Sequence, residues 1–434
     1  MVSAPVGATS EPTLVKDIKP TGGSNPTSLT AVGSTLFFAA NDGVHGNELW
    51  KSDGTAAGTK MVKNIRPYGK NSDPDNLVNV NGMLFFTAID GVHGRELWKS
   101  DGTKAGTVMV KDLIPSGGLS ILSADVGGVQ PVAVGSRLFL FNSVCRACPF
   151  GEGSDLYVSD GTASGTKQLA PDQLFSSVHS RAAALDGKLY FATSSETYDG
   201  LWVTDGTQAG THILASVSVV GDSIDILPAS GKNLYFIAYQ SGQPRLWKTN
   251  GAAASTKALT TGGTLGWDPR EAAFMAKRVF FDSGYWDSAL GESIAQLWKT
   301  DGTVAGTKPI LTTPGGLGWV RASGGRLYFN VSSDISWQLW TSDGTAGGTR
   351  DMGQFGAQRA TDPMAVGGDL CFTEMDWNTG TWALWKSDGT TPGTYPVRSF
   401  VGPTEEFQQA AFGSKLFFAA DDGVHGQELW NYTP

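Results

Sequence analysis

Short apolar runs alternate with polar turns along almost the whole chain, and one arrangement keeps returning. A Leu-Trp pair followed by a polar turn occurs at Trp50, Trp98, Trp202, Trp247, Trp298, Trp340, Trp385 and Trp430, and Leu156-Tyr157 fills the one gap. A second apolar run starts at Leu36, Leu84, Leu138, Leu189, Leu234, Val279, Leu327, Leu370 and Leu416. Both signatures count nine copies at a period near 45 residues. That period is the length of a four-stranded propeller blade.

The first copy predicts four strands, over residues 29–32, 36–40, 48–52 and 60–65. β-branched and aromatic residues fill the runs. Asp53-Gly54 supplies the positive φ of a tight hairpin. The two ends of the chain are complementary. The last copy stops at Tyr432-Thr433-Pro434 without a fourth strand, and the N-terminus carries an orphan, Thr13-Leu14-Val15-Lys16-Asp17-Ile18. That orphan is similar to the fourth-strand phrases Met61-Val62-Lys63-Asn64-Ile65 and Met109-Val110-Lys111-Asp112-Leu113. The pattern therefore predicts an all-β chain. It has a flexible leader over 1–12 and a single nine-bladed β-propeller domain over 13–434. The N-terminal strand completes the last blade and protects edges that would otherwise be reactive. The alternative architecture is an eight-bladed ring with one divergent or displaced copy.

Composition sharpens this picture. Glycine makes up 57 of 434 residues, against roughly 7% in ordinary domains. With 21 Phe and 14 Trp, that favours strands and tight turns. A net charge of −9 disfavours a nucleic-acid partner, which asks for a basic surface. It disfavours anionic membranes as well. No apolar run is long enough to insert into a bilayer. The start lacks a signal peptide, and a mature secreted protein can begin this way. Three cysteines are too few for a disulfide framework. Cys145 and Cys148 form one CxxC, which suits a local disulfide or free thiols, or else redox or metal chemistry.

The phrase Glu48-Leu49-Trp50-Lys51-Ser52-Asp53-Gly54-Thr55 and its copies resemble the ELWxxDGT repeat family of secreted and surface-associated bacterial proteins. The resemblance runs from about Thr13 to Trp430. It implies bacterial origin and export. It implies no catalytic residue, because the family has no generally established reaction. The third copy departs by Tyr157 in place of Trp, and the fifth by Asn250-Gly251-Ala252, which loses the Asp and the first Thr.

Asp53, Asp101, Asp160, Asp205, Asp301, Asp343 and Asp388 head the same turn. An Asp there can accept N–H groups of its own turn, and the later Thr (Thr59 in the first copy) can tie the hairpin together. The rival reading is calcium, for which one Asp per turn is a thin supply. His45, His93 and His425 sit in near-identical Asp-Gly-Val-His-Gly loops. They are expected to bond locally rather than share a metal. No cofactor motif occurs, and none specifies an oligomeric state.

Six tryptophans are surplus to the repeat: Trp267, Trp286, Trp319, Trp337, Trp377 and Trp382. All fall in copies six to eight and, with Tyr285, are expected to crowd one rim. Asp268, Arg270, Asp287, Asp334, Asp376 and Asn378 are their polar neighbours. Such a rim either packs loop ends or binds a glycan or a cell-surface protein. The inner runs carry no recurring acids, and no Gly-x-Ser-x-Gly, P-loop or His-Glu-x-x-His occurs. The expectation is a non-enzymatic extracellular binding scaffold. A purely structural surface or matrix protein and a polysaccharide-active enzyme are the alternatives.

Overall fold

The computed structural model describes residues 10–113, 130–145, 152–169, 178–193, 200–215, 224–227, 231–262, 265, 271–332, 337–355, 360–376, 379–402 and 407–434. The described residues are nearly all strand and turn, with one short 3-10 turn at Ala253–Ser255. The leader over 1–12 falls mostly outside them.

Each of the first seven copies of the repeat forms one antiparallel four-stranded sheet. In copy one, β1 (Thr13–Lys16) precedes the sheet, which is built from β2 (Thr27–Val32), β3 (Thr35–Asn41), β4 (Asn47–Ser52) and β5 (Lys60–Lys63) in sequence order. The next six copies give sheets over 75–111, 132–169, 178–215, 225–258, 272–314 and 316–351, each again in sequence order. The eighth and ninth copies merge into one eight-stranded sheet. They merge because the fourth strand of copy eight, Tyr395–Val401, is long enough for Val401 to pair with Asp421 of copy nine.

β1 does not join the sheet that follows it. It pairs antiparallel with the last strand, Gln427–Tyr432, placing Thr13 opposite Asn431 and Leu14 opposite Trp430. Val15 is buried there with Phe38, Phe417 and Leu429.

The core repeats one device. The second-strand Phe and the third-strand Trp stand directly opposite each other, as in Phe86 with Trp98 and Phe372 with Trp385. Their rings lie about 6 Å apart, at 6.4 Å for the first pair and 6.0 Å for the second. A cross-strand aromatic pair is worth up to about 1 kcal/mol over alanines.

Some strands end earlier than their sequence suggests. The apolar pattern extends the fourth strand of copy one to Ile65, but β5 stops at Lys63. The N–H groups of Ile65 and Arg66 turn away from the ladder to the carboxylate of Glu48, at 2.8 and 3.1 Å. The same happens after β1, where Lys19 and Ser24 donate to Glu428 at 3.0 Å.

Contacts divide the chain into two compact units. One comprises Met1–Gly118, Arg321–Asp343 and Gly347–Pro434; the other comprises Leu119–Val320 and Gly344–Ala346. In the first unit, basic side chains lace each sheet to a neighbour. Lys16 donates to the carbonyl of Thr59 at 2.8 Å, Lys51 to that of Gly102 at 2.6 Å, and Lys63 to that of Thr107 at 2.7 Å. In the second unit Arg137 reaches the carbonyl of Asp205, and Lys248 that of Gly302.

Candidate functional site

The Asp-Gly-Thr turns are internally satisfied. Asp53 Oδ1 accepts the N–H of Thr55 at 2.9 Å and its hydroxyl at 2.7 Å, and Thr55 Oγ1 accepts the N–H of Gly58. Thr59 then joins Ser52 through their hydroxyls at 2.7 Å and donates to the carbonyl of Thr55. Gly58 is there for space: a Cβ would sit 2.0 Å from Asp53 Oδ1. The hydroxyl and N–H of Thr55 hold the Asp53 carboxyl below its ordinary value. Copy five keeps the logic without the Asp, since Asn250 Oδ1 accepts from Ala252 and Ser255, and Thr256 bonds Thr249.

The three loop histidines bond within their own loops. His45 Nδ1 lies 2.7 Å from Asp42, His93 2.7 Å from Asp90, and His425 3.0 Å from Asp422. Burial pushes the Asp42 carboxyl up, but hydrogen bonds from His45 and Val44 outweigh it and hold it low. Asp90 raises His93 in return, chiefly through their hydrogen bond. Among the described residues no three His, Cys, Asp or Glu side chains gather as a metal-binding group.

The expected tryptophan rim needs correction. Trp267 and Trp377 lie outside the described residues. Trp319, Trp337 and Trp382 are only 7%, 3% and 6% exposed, so they belong to the packed interior rather than to an open rim. Trp337 meets Phe372 edge-on at 6.3 Å, and Trp382 stacks on Phe400 at 4.7 Å. Both stand three residues ahead of their repeat Trp, inside the strands Trp337–Ser342 and Thr381–Ser387, where neighbouring strands cover them. Of the polar neighbours, Asp268, Arg270, Asp334 and Asn378 fall outside the described residues.

Tyr285 and Trp286 are the exposed part of the set, at 38% and 60%. They project from the strand Arg278–Asp287, which pairs with Glu292–Thr300 out to Asp287 opposite Glu292. Asp287 caps the connecting turn by accepting the N–H groups of Ala289 and Leu290. Leu290 at the tip is exposed too. Successive strand residues face opposite sides, so this hairpin end presents an aromatic ring on each face.

A cavity of about 280 Å³ lies where copies eight and nine merge. Trp382, Phe407 and Val401 give it apolar walls, and Asn25, Asp421 and Gln427 line it with polar groups. The segment leading from β1 to β2 forms one wall. Its backbone lies flush on the loop of copy nine: a Cβ on Gly23 would meet the Gln427 nitrogen at 2.3 Å, and Asn25 donates its N–H to the Gln427 carbonyl.

Sequence reasoning missed the buried glutamates Glu48, Glu96 and Glu428. Burial pushes Glu48 and Glu96 each up to about 7, against the pull of their backbone hydrogen bonds. The Glu of the Glu-Leu-Trp phrase, present only in copies one, two and nine, was the available signal. Cys371 is a buried free thiol, and burial raises it to about 12. Cys148 and the side chain of Cys145 lie outside the described residues.

No protein-family model and no curated protein sequence matches the chain. Among solved structures it is similar to a prolyl endopeptidase, at 14% identity and a TM-score of 0.46 over 80% of this chain and 54% of that one. The chain thus spans about half the length of that protein. It is similar to the β-propeller domain of the Trilobed protease from Pyrococcus furiosus, at 11% identity and a TM-score of 0.41 over 70% of this chain and 93% of that one. It is also similar to TolB from Acinetobacter baumannii, at 15% identity and a TM-score of 0.35 over 85% and 78% of the two chains. No helix among the described residues is long and apolar enough to cross a membrane.

Proposed function

We propose that the nine copies are the blades of one closed β-propeller, and that it acts as a non-enzymatic binding scaffold outside the cell. Closure is supported by β1, which supplies the strand that copy nine lacks. The ELWxxDGT resemblance supports export and a place in the secreted or surface-bound pool. The partner is a glycan or a cell-surface protein.

The observation that carries the binding reading is the exposure of Tyr285 and Trp286 at the end of a capped hairpin. Exposed rings there stabilise nothing inside the sheet, and large aromatics are what binding surfaces use as anchors. A carboxylate enzyme would need two acids at a set separation of about 5–10 Å. Glu48 and Glu428 instead commit both oxygens to neighbouring N–H and hydroxyl groups. Capture of polysaccharides or surface extracts, compared between the wild type and Trp286→Ala, tests the proposal. At least a tenfold loss is expected; equal capture by both would remove the hairpin from the argument.

A further inference from the structure

We infer that the cavity beside Trp382 is a binding site for a single neutral sugar ring. The inference rests on the binding-scaffold reading but not on the Tyr285–Trp286 hairpin.

Trp382 stands where copy one has Asn47, copy two Arg95 and copy nine Gln427, three residues ahead of the Leu-Trp tryptophan. Copy seven has Trp337 at that place, where it meets Phe372 edge-on. The long strand Tyr395–Val401 then brings Phe400 beneath the indole and Val401 alongside Asp421. Phe407 closes edge-on at 4.8 Å. At about 280 Å³ the space is at the lower end of ligand pockets, which run from about 300 Å³ upward. It suits one ring rather than an oligomer.

Its lining carries several polar groups. The indole of Trp382 lines the cavity and brings an N–H donor to it. Asn25 and Gln427, joined to each other through their backbones, line it too and carry side-chain amides. Asp421 uses Oδ1 for the N–H of Gly423 at 2.7 Å and keeps Oδ2 available. The set thus offers one indole donor, two amides that donate and accept, and one carboxylate acceptor. Adjacent hydroxyls of a sugar match that mixture, since each both donates and accepts. Among the described residues no Lys or Arg lines the cavity, and Asp421 is negative, which argues against phosphate, sulfate or uronate groups. Phe400 stacks on the Trp382 indole, Phe407 and Phe418 meet it edge-on, and the residue is 6% exposed, which leaves little ring surface for an ammonium ion. The walls are held in place before any ligand arrives, because Gly23 and Gly426 pack backbone to backbone. Such preorganisation lowers the cost of binding.

The experiment is saturation-transfer NMR on the full chain with separate neutral hexoses and N-acetylhexosamines, a uronic acid, glucose 6-phosphate and choline. Trp382→Phe keeps the packing and removes the donor. Asp421→Asn keeps the bond to Gly423 and removes the charge. A neutral sugar should give transfer that either variant weakens at least tenfold, while Val44→Asp, at an exposed loop position outside the cavity lining, leaves it intact. Three results would overturn the inference: no transfer to any neutral sugar, transfer unchanged in both variants, or stronger transfer to the charged probes. Should Trp286→Ala alone abolish polysaccharide capture while the cavity stays silent, the scaffold reading survives and the cavity assignment fails.

Discussion

Leu14 lies directly opposite Trp430 in the antiparallel pairing of β1 with the last strand. Two residues at the extreme ends of the sequence are thus neighbours in one ladder. Losing this pairing would expose the edge of Gln427–Tyr432 and open the apolar cluster around Val15. Val15→Asp should therefore cost about 3–5 kcal/mol, the penalty of an unpaired buried charge. Val44→Asp, at an exposed loop position, should stay within about 0.5 kcal/mol. Urea denaturation of both variants measures the contrast.

Gly58→Ala forces a methyl onto the Asp53 carboxylate. The turn must open and lose its two Asp53 bonds, at about 1–3 kcal/mol. Asp53→Ala should itself cost about 1 kcal/mol, yet it removes the clash. The double variant should thus be more stable than the sum of the two single effects. A double-mutant cycle reads this directly.

Thr59→Val deletes one hydroxyl that bonds both Ser52 and the Thr55 carbonyl. The change takes the Thr59 partner from the buried Ser52 hydroxyl and leaves the Thr55 carbonyl only the N–H of Thr59, at about 1–3 kcal/mol. Thermal melting of Thr59→Val beside Thr59→Ser would separate the lost bond from the lost methyl.

The buried glutamates set a pH dependence with a definite sign. Folding raises Glu48 and Glu96 from 4.5 to about 7, so the folded state favours their protonated form. The stability they contribute is fully present below 4.5 and is lost as the pH rises through about 7. Asp42, Asp90 and Asp422 are held below 3.8 and act in reverse, losing their contribution as the pH falls under that value. The melting temperature should climb on acidification from neutrality and turn down only in stronger acid. Glu48→Gln with Glu96→Gln should flatten the climb and leave the acid limb in place.

Cys371 is held as a thiol by burial, up to about 12. Only the thiolate is nucleophilic. Peptide mapping after iodoacetamide near pH 8 should find Cys371 unmodified in the native protein and modified in urea.

Much of the architecture was legible because the repeat states it nine times. Each second-strand run that begins near Leu36, Leu84 or Leu416 is a strand, and Thr13 to Lys16 sits where an unfinished last copy needs it. The hydroxyl tie of Thr59 was legible as well, since a β-turn offers few other partners. The tryptophans were less so. A period tells which residues are in strands, not how far each strand runs. Trp337 and Trp382 read as loop-edge residues, yet each stands at the place that Asn47 fills at the start of the third strand of copy one, and Phe372 and Phe400 pack against them there. Glu48 was missed for another reason. It occupies a polar slot in a strand, and only the fold brings Ile65, Arg66 and Ser72 around its carboxylate.

The lysine lacing has a consequence for how such a chain can grow. Lys63 gives its ammonium to the carbonyl of Thr107 in the following copy, while Thr59 of its own copy receives Lys16. A unit so built is both a plug and a socket of one pattern. A duplicated segment inserted between two others arrives with matching halves for either side. Lengthening the gene by one unit therefore demands no compensating change in the flanking ones, which leaves the outer loops of a new copy free to diverge.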